Sequence, residues 1–493
     1  MTRRIYTLLY ILCLATAMVC AQPGAVKKNT KSMLKITTFK ADGALLSSGY
    51  GIFVGSDGTA IASWMPFVGA SSAIAIDGQG KKYDVDCLFG ASEIYNVTKL
   101  RVKTDAKSKI IPAVIEDGRQ DTGTDIWLAT YDVKSPSFTR FKTTNVETFM
   151  GDLPYYIVEQ QEAKFLDEHA GLPFFNAQGQ LMGLLKTSKT RTDLHVASAR
   201  YAMTLAPSAL SMNDNILRNT NVRIALPTEY NLAVLSLLVA SQRNDSINYP
   251  ATIEEFITLF PDKEDGYINK AEWLLGKHEF SQSAQCMETA ISKSDRKDNV
   301  HFIYSKLIYN KETLMNGFPY DAWSLDKAMQ EIDTAYSINP LPLYRIHRGK
   351  IFFAQQKYND ALAEFNYVNT TDMKDADVYF FAYQCLRLLN ADPAQQMEQL
   401  DSCLSLQPKE LLYQAEKTLL LLRTKKYAEA LELSRSMVAS APYYAEGHGL
   451  LGLSLCLSGN KQIGIVELKR AKAMGYTLAD SFLQKYGNEQ QQE

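Results

Sequence analysis

Ser47-Ser48-Gly49-Tyr50-Gly51-Ile52-Phe53-Val54, followed by Ser56-Asp57-Gly58 and then Ala62-Ser63-Trp64-Met65-Pro66-Phe67-Val68-Gly69-Ala70-Ser71, is the stretch on which the fold turns. An apolar run ends at Val54, and Ser-Asp-Gly then supplies the residues of a tight turn, so the text reads as strand, turn, strand. The same pattern extends outward in both directions. Short apolar runs lie at Met33 to Phe39, Ile74 to Ile76, Asp125 to Tyr131, Leu153 to Val158 and Leu181 to Leu185, broken by Asp42-Gly43, Asp77-Gly78 and Asn176 to Gly179. Many short strands with frequent turns predict an all-β barrel or sandwich from Met33 to about Leu205.

Beyond about Pro227 the period becomes helical, with apolar residues three and four apart. The join at 208–227 is rich in Asn, Asp and Ser and reads as a linker or a connecting helix with loops, and 228–266 reads as a helical lead-in. Further on the text repeats. Gln396, Ala430 and Gly464 are 34 residues apart, as are Leu400, Ser434 and Leu468, and Cys403, Met437 and Ala471, while Pro408 and Pro442 share the interval. Gly349, Ala361, Phe365 and Val368 have the spacing of Gly452, Gly464, Leu468 and Ala471; Ala328, Ile332, Ala335 and Pro340 form another copy, and Ala271, Ser283, Met287 and Ala290 a weaker first one. This resembles the tetratricopeptide repeat, a helix pair whose small residues let its helices approach. About six units are expected over 267–476, with an insertion near Asn316 to Tyr320, a slip near Asn390 and a tail over 477–493. The resemblance implies a superhelix whose concave face binds peptides or helices of other proteins.

The 493 residues require more than one domain. With 52 basic against 54 acidic residues, the chain lacks the general basic field of a nucleic-acid binder and is no acidic tail protein. The start, Arg3-Arg4, an apolar run from Ile5 to about Val19, then Cys20-Ala21, reads as a signal peptide over 1–21 with cleavage after Ala21, hence export to a periplasm or cell envelope. A lipid anchor at Cys20 is the alternative, against which Val19 stands where a small residue is expected. Five cysteines remain, Cys87, Cys286, Cys385, Cys403 and Cys456, with no C-x-x-C pair, so buried thiols are expected, a Cys385–Cys403 bridge being the exception an oxidising compartment allows. No motif calls for a metal or cofactor.

The β-rich half resembles trypsin-like serine proteases of the bacterial periplasmic Deg type. Ser47 to Ser71 matches that family's opening strands. Glu93-Ile94-Tyr95-Asn96-Val97-Thr98-Lys99-Leu100-Arg101-Val102 is similar to its Tyr-Asp-Leu-Ala strand, and Glu168-His169-Ala170-Gly171-Leu172-Pro173 through Gly183 to its nucleophile loop. The segments keep the order His, Asp, Ser, and Asp125 to Ala129 adds a matching strand. The resemblance implies a trypsin-like double β-barrel over 33–207. It also places Met65 in the position of the general base, Asn96 in that of the carboxylate, Ala170 in that of the nucleophile, and Glu168 at the oxyanion loop. Methionine has no titratable proton, alanine no nucleophilic atom, and asparagine no charge to stabilise an imidazolium. A carboxylate at Glu168 opposes a developing oxyanion.

No substitute set stands out. His169 lies in a polar Asp167-Glu168-His169 run, His195 is strand-associated, and Ser63, Ser188 and Ser198 have no base nearby in the sequence. His278, His301, His347 and His448 are scattered without metal spacing. Trp64 either floors a peptide cleft or fills the core. Tyr379, Tyr443 and Tyr444 begin helices of the repeats, where side chains line a groove or pack. The expectation is an exported, non-catalytic protein-interaction or scaffold protein, a degenerate protease barrel pair fused to a tetratricopeptide superhelix. An active trypsin-like endopeptidase with rearranged groups is the alternative.

Overall fold

The computed structural model describes residues 24–105, 109–132, 136–150, 152–158, 167–187, 193–243 and 245–487, so the expected leader, Cys20 and Ser188 lie outside them. After a short helix α1 (Gly24–Lys28) come β1 (Met33–Phe39), β2 (Leu45–Phe53), β3 (Thr59–Ser63), β4 (Ser72–Asp77), β5 (Lys82–Ser92) and β6 (Val97–Val102). They close a barrel in the order β1-β2-β3-β6-β5-β4. A second barrel is built from β7 (Asp125–Ala129), β8 (Phe138–Phe149), β9 (Leu153–Val158), β10 (Pro173–Phe175), β11 (Leu181–Lys186) and β12 (Leu194–Ser198), in the order β7-β8-β9-β12-β11-β10. Adding six to each strand of the first barrel reproduces the second, so the chain winds the same topology twice.

The alternating runs are what allow closure, because period-two patterning puts one apolar face inside each barrel. Met33, Ile52, Ile61 and Val97 of the first barrel share one buried cluster with Ile126, Leu128, Phe141 and Phe174 of the second. Each such aliphatic side chain contributes about 1.5–3 kcal/mol on burial. β8 escapes sequence reading because only Phe141 and Thr143 of its twelve residues are buried. Its place is set by pairing to β7 on one side and β9 on the other.

Helix α2 (Ala199–Thr204) follows, capped by Ser198, whose hydroxyl accepts from the Tyr201 amide. The expected linker at 208–227 is instead a strap laid on the first barrel. The Asn221 amide donates to the Ala70 carbonyl at 2.8 Å, and Leu88 exchanges 2.9 Å backbone bonds with Arg223 and Ala225. Burial explains it, since every residue from Val222 to Pro227 is buried, Arg223 included. Helices α3 (Tyr230–Gln242) and α4 (Asn248–Leu259) complete a compact unit that reaches Asn269; a second begins at Lys270.

The rest is helical. The pairs are α5 (Asp265–Gly276) with α6 (Phe280–Lys293), α7 (Lys297–Leu314) with α8 (Leu325–Ile338), α9 (Pro342–Ala354) with α10 (Tyr358–Asn369), and α11 (Ala376–Leu388) with α12 (Pro393–Leu406). α13 (Leu411–Arg423) with α14 (Tyr427–Ser440) and α15 (Ala445–Leu457) with α16 (Lys461–Ala473) follow. A last helix, α17 (Ala479–Gly487), occupies residues expected to be a tail. The expected insertion is the long connection between α7 and α8. The fold class is thus a double β-barrel followed by an α-helical repeat array.

The 34-residue columns are the buried seams of the pairs: Leu400, Ser434 and Leu468 are fully buried, as are Cys403, Met437 and Ala471. The small residues act by contact distance. A Cβ on Gly452 would meet the Gly464 carbonyl oxygen at 2.8 Å, and one on Gly349 the Phe365 ring at 2.6 Å. All five expected cysteines are free thiols, Cys385 and Cys403 included.

The turn inside a pair is a left-handed helix stop, with positive φ at His278, Gln356, Asn390, Lys425 and Gly459. The amide of the following residue bonds back five residues, as Lys426 does to Leu421 at 2.8 Å. Only the last of these five positions has the residue best suited to it. Gln356→Gly and Lys425→Gly are therefore each expected to raise stability by about 0.5–1 kcal/mol in urea unfolding, because a side chain in this conformation costs about 1 kcal/mol. A fall in stability for both would refute this account of the turn.

Candidate functional site

A cleft of about 490 Å³ opens between the two barrels. Its first wall is Ser47 and Ser48 on β2, Ser63 at the end of β3, Met65 and Pro66 just after it, and Glu93 and Asn96 in the β5–β6 turn. The second barrel supplies Glu168, Ala170, Lys186 and Thr187. Met65, Asn96, Ala170 and Glu168, the four positions singled out by the resemblance, therefore converge on one cavity.

Each is held by an identifiable local device. Asn96 has positive φ, which asparagine tolerates better than most residues. Its side-chain Oδ1 accepts the Met65 amide at 2.9 Å, and its carbonyl accepts the Trp64 amide at 3.3 Å. The position thus ties the turn to the backbone at Met65. Met65 itself is 58% exposed at the cleft. Ala170 is buried, its carbonyl accepting the Tyr50 amide at 3.0 Å across the barrel junction. The next residue must be glycine: Gly171 has φ +92, and a Cβ there would lie 2.1 Å from the Tyr50 carbonyl oxygen.

The electrostatics are mainly acidic. Glu93 and Glu168 are both exposed at the cleft. Burial first, and then the Glu168 carboxylate, push the Tyr50 phenol above its ordinary value. Lys186 donates to the Ile94 carbonyl at 2.5 Å, bridging the second barrel to the β5–β6 turn. Ser63 is only 1% exposed, and its Oγ has no hydrogen-bond partner among the described residues. A buried hydroxyl in that state costs about 1–3 kcal/mol.

The remaining candidates are placed elsewhere. Trp64 is 1% exposed and stacks on Phe67 with ring centroids 6.4 Å apart, so it fills the core and does not floor the cleft. His195 is buried on β12 beside Tyr155, and Ser198 is spent as a helix cap. Among the described residues no three His, Cys, Asp or Glu side chains are grouped to hold a metal. In the helical unit Tyr379 is half-buried against Ala376, Cys403 and Tyr413. Tyr444 packs on Ala415, Met437 and Leu450, and only Tyr443, 93% exposed, is free of packing. The repeat histidines are structural: His278 stacks on Phe318, His301 bonds Glu331, His347 bonds Ser305, and His448 bonds Glu467 and the Pro442 carbonyl.

Glu93, Lys186 and Thr187 are cleft residues that sequence reasoning did not single out. Glu93 was legible only as the start of the segment containing Asn96, and Lys186 and Thr187 lie just beyond the expected strand run Leu181 to Leu185. No helix among the described residues is long and apolar enough to cross a membrane.

No protein-family model matches the sequence, and no curated protein matches it. Among solved structures the chain is similar to the active form of the Rv3671c protease from M. tuberculosis, at 16% identity over 37% of this chain and 82% of that one, with a TM-score of 0.31. It is also similar to the serine endoprotease from Yersinia pestis, at 15% identity over 39% of this chain and 65% of that one, with a TM-score of 0.30.

Proposed function

We propose that this chain is an exported, non-hydrolytic protein-interaction module: a trypsin-like barrel pair that has kept its cleft and lost its chemistry, joined to a tetratricopeptide array that binds partner proteins. The supporting observation is the make-up of the cleft. Hydrolysis by this fold needs a hydroxyl within hydrogen-bond reach of a base. The positions that the resemblance assigns to base, carboxylate and nucleophile carry Met65, Asn96 and Ala170, and all three line the cleft. The buried hydroxyl beside them, Ser63, has no hydrogen-bonding base among the described residues. Asn96 is occupied in holding the Met65 amide, a structural task.

The test is direct. Full-length protein is expected to leave an unfolded casein substrate intact and to take up no fluorophosphonate serine probe. Labelling that disappears on Ser63→Ala, or on replacing another serine of the barrel unit, would replace this reading with that of an endopeptidase with rearranged groups. In the repeat array, Tyr443 is the aromatic offered for partner contact by its exposure.

A further inference from the structure

We infer that the lysines gathered round the β4–β5 turn of the first barrel form a docking face for an anionic phospholipid surface, whatever the cleft itself does. The sequence supplies the charge: five lysines lie between Gly24 and Lys40, and the first acidic residue of the chain is Asp42. The fold then fixes three of them against the barrels. Val26 is buried, and the Asn29 side chain donates to the Gly179 carbonyl and the Ser32 hydroxyl to the Ile111 carbonyl, both at 2.5 Å. Lys27, Lys28 and Lys31, three and four residues apart in this helical segment, therefore share one exposed side. The segment lies on the β4–β5 turn, since a Cβ on Gly78 would meet the Thr30 carbonyl oxygen at 2.2 Å and the Lys31 Cα at 3.3 Å. Just past that turn come Lys81 and Lys82, both exposed. Register adds a sixth lysine: Lys35 of β1 and Lys82 of β5 both pair with Ile76 of β4, which puts the three side chains on one outer sheet face.

Little on the protein balances this charge. The carboxylate inside the turn, Asp77, is buried and accepts the Gln79 and Lys81 amides and the Tyr83 hydroxyl. Asp84 is an opposing charge on the outer sheet face, and Lys81 lies 3.9 Å from Asp105. Among the described residues, Lys27, Lys28, Lys31, Lys35 and Lys82 have no carboxylate within ion-pair distance. The stretches 22–23, 106–108 and 133–135, which adjoin this region in the chain, carry Lys107 and Lys134 as their only charged residues. All six cations are lysines. An ammonium is a strongly hydrated point charge, suited to a diffuse field of headgroup phosphates, whereas planar bidentate recognition calls for the fork of arginine. The face also carries the end of the chain that the sequence reading sets at a bilayer, because the apolar run closes at Val19 and Cys20, four residues before α1. Export, or an anchor at Cys20, brings these lysines to the headgroups first.

The experiment uses the chain from Gln22 to Glu493, which contains every described residue and lacks the apolar run that would itself enter a bilayer. Its cosedimentation is measured with vesicles of phosphatidylcholine alone or of equal parts phosphatidylcholine and phosphatidylglycerol. Binding to the mixed vesicles is expected to be at least about tenfold tighter, and to be lost as sodium chloride rises from about 50 to about 300 mM. Lys27→Gln/Lys28→Gln/Lys31→Gln is expected to weaken it about tenfold to a hundredfold, and Lys35→Gln/Lys82→Gln about fivefold to tenfold. Lys409→Gln/Lys469→Gln/Lys485→Gln, the same change of net charge at exposed sites of the helical unit, is expected to change it less than about twofold. Equal binding to the two vesicles, or none to either, would overturn the proposal. So would an equal loss in the helical-unit variant, which would make net charge the cause, or a loss confined to the first variant, which would leave the sheet out of the face. Displacement from the mixed vesicles by a short DNA duplex that the chain binds more tightly would assign the lysines to a nucleic acid and overturn the lipid assignment.

Discussion

Arg223→Ala is expected to cost the barrel unit about 3–5 kcal/mol, the range for removing one partner of a buried charged set. The Arg223 side chain is 6% exposed and reaches two carboxylates, Asp86 at 2.9 Å and Glu255 by its other terminal nitrogen. Arg101 closes the quartet, bonding Asp86 at 2.9 Å and Glu255 at 3.0 Å. Glu255 also accepts the Leu226 amide at 3.2 Å, so four charges tie β5, β6, the strap and α4 together. Burial by itself would raise the Asp86 carboxyl, but Arg223 and Arg101 together hold it below its ordinary value. Removing Arg223 leaves two carboxylates sharing one guanidinium in a site that water reaches poorly. Urea unfolding of the full chain, followed by a barrel probe such as Trp64 or Trp127 fluorescence, measures the loss. Arg223→Lys is expected to fall between wild type and alanine, because an ammonium cannot present the forked donors that reach both carboxylates. A loss below about 1 kcal/mol for Arg223→Ala would mean that the strap is held by its apolar residues alone.

The helical unit is expected to lose about 3 kcal/mol between pH 6.5 and pH 4 through one residue, His347. Its ring is buried, 6% exposed, between Phe302 and Tyr309. The Ser305 hydroxyl donates to the Ala328 carbonyl at 2.6 Å, so at its 3.0 Å contact with His347 Nε2 it accepts. The ring is thus a neutral donor. Burial lowers its pKa from 6.5 to about 4; the Ser305 bond opposes the shift, and the nearby Lys350 and Lys306 add to it. The sign follows from linkage. Between these two values the unfolded chain binds a proton that the folded chain refuses, so the contribution is complete above pH 6.5 and is lost as pH falls towards 4. At about 1.4 kcal/mol per tenfold change the interval amounts to about 3 kcal/mol. His347→Gln keeps an N–H donor and cannot titrate. Its urea midpoint, read from helical circular dichroism, is expected to fall less steeply than that of wild type over this range. Parallel profiles would show that other groups govern the acid response.

Much of this molecule was open to reading in one dimension. The strand runs from Met33 to Leu185 and the helical columns of the repeats were visible because both depend on short-range patterning. A period of two or of 3.6 places apolar residues on one face whatever lies beyond it. Gly452 and Gly464 were visible for the same reason, as small residues at the interval a helix pair demands. β8 was invisible because its residues are mostly solvated, and the strap at 208–227 passed for a linker because its buried apolar residues before Ile224, namely Met212, Leu217 and Val222, are scattered among Asn, Asp and Ser. Trp64 was ambiguous, since an indole serves a cleft floor or a core equally well until its neighbours are known.

For the candidate site, sequence by itself determined which chemistry its residues could offer. Methionine has no proton to transfer and alanine no nucleophile in any fold, so the identities of Met65 and Ala170 are sufficient for that. Only the tertiary structure decided that these residues share a cleft with Ser63, Glu93, Glu168 and Lys186, and that the Ser63 hydroxyl is left without a partner among the described residues. The reason is range: the first and last of these, Ser63 and Lys186, are more than a hundred residues apart in the chain. What joins them is the antiparallel closure of two barrels and a backbone bond from Tyr50 to Ala170, long-range pairings that no local period encodes.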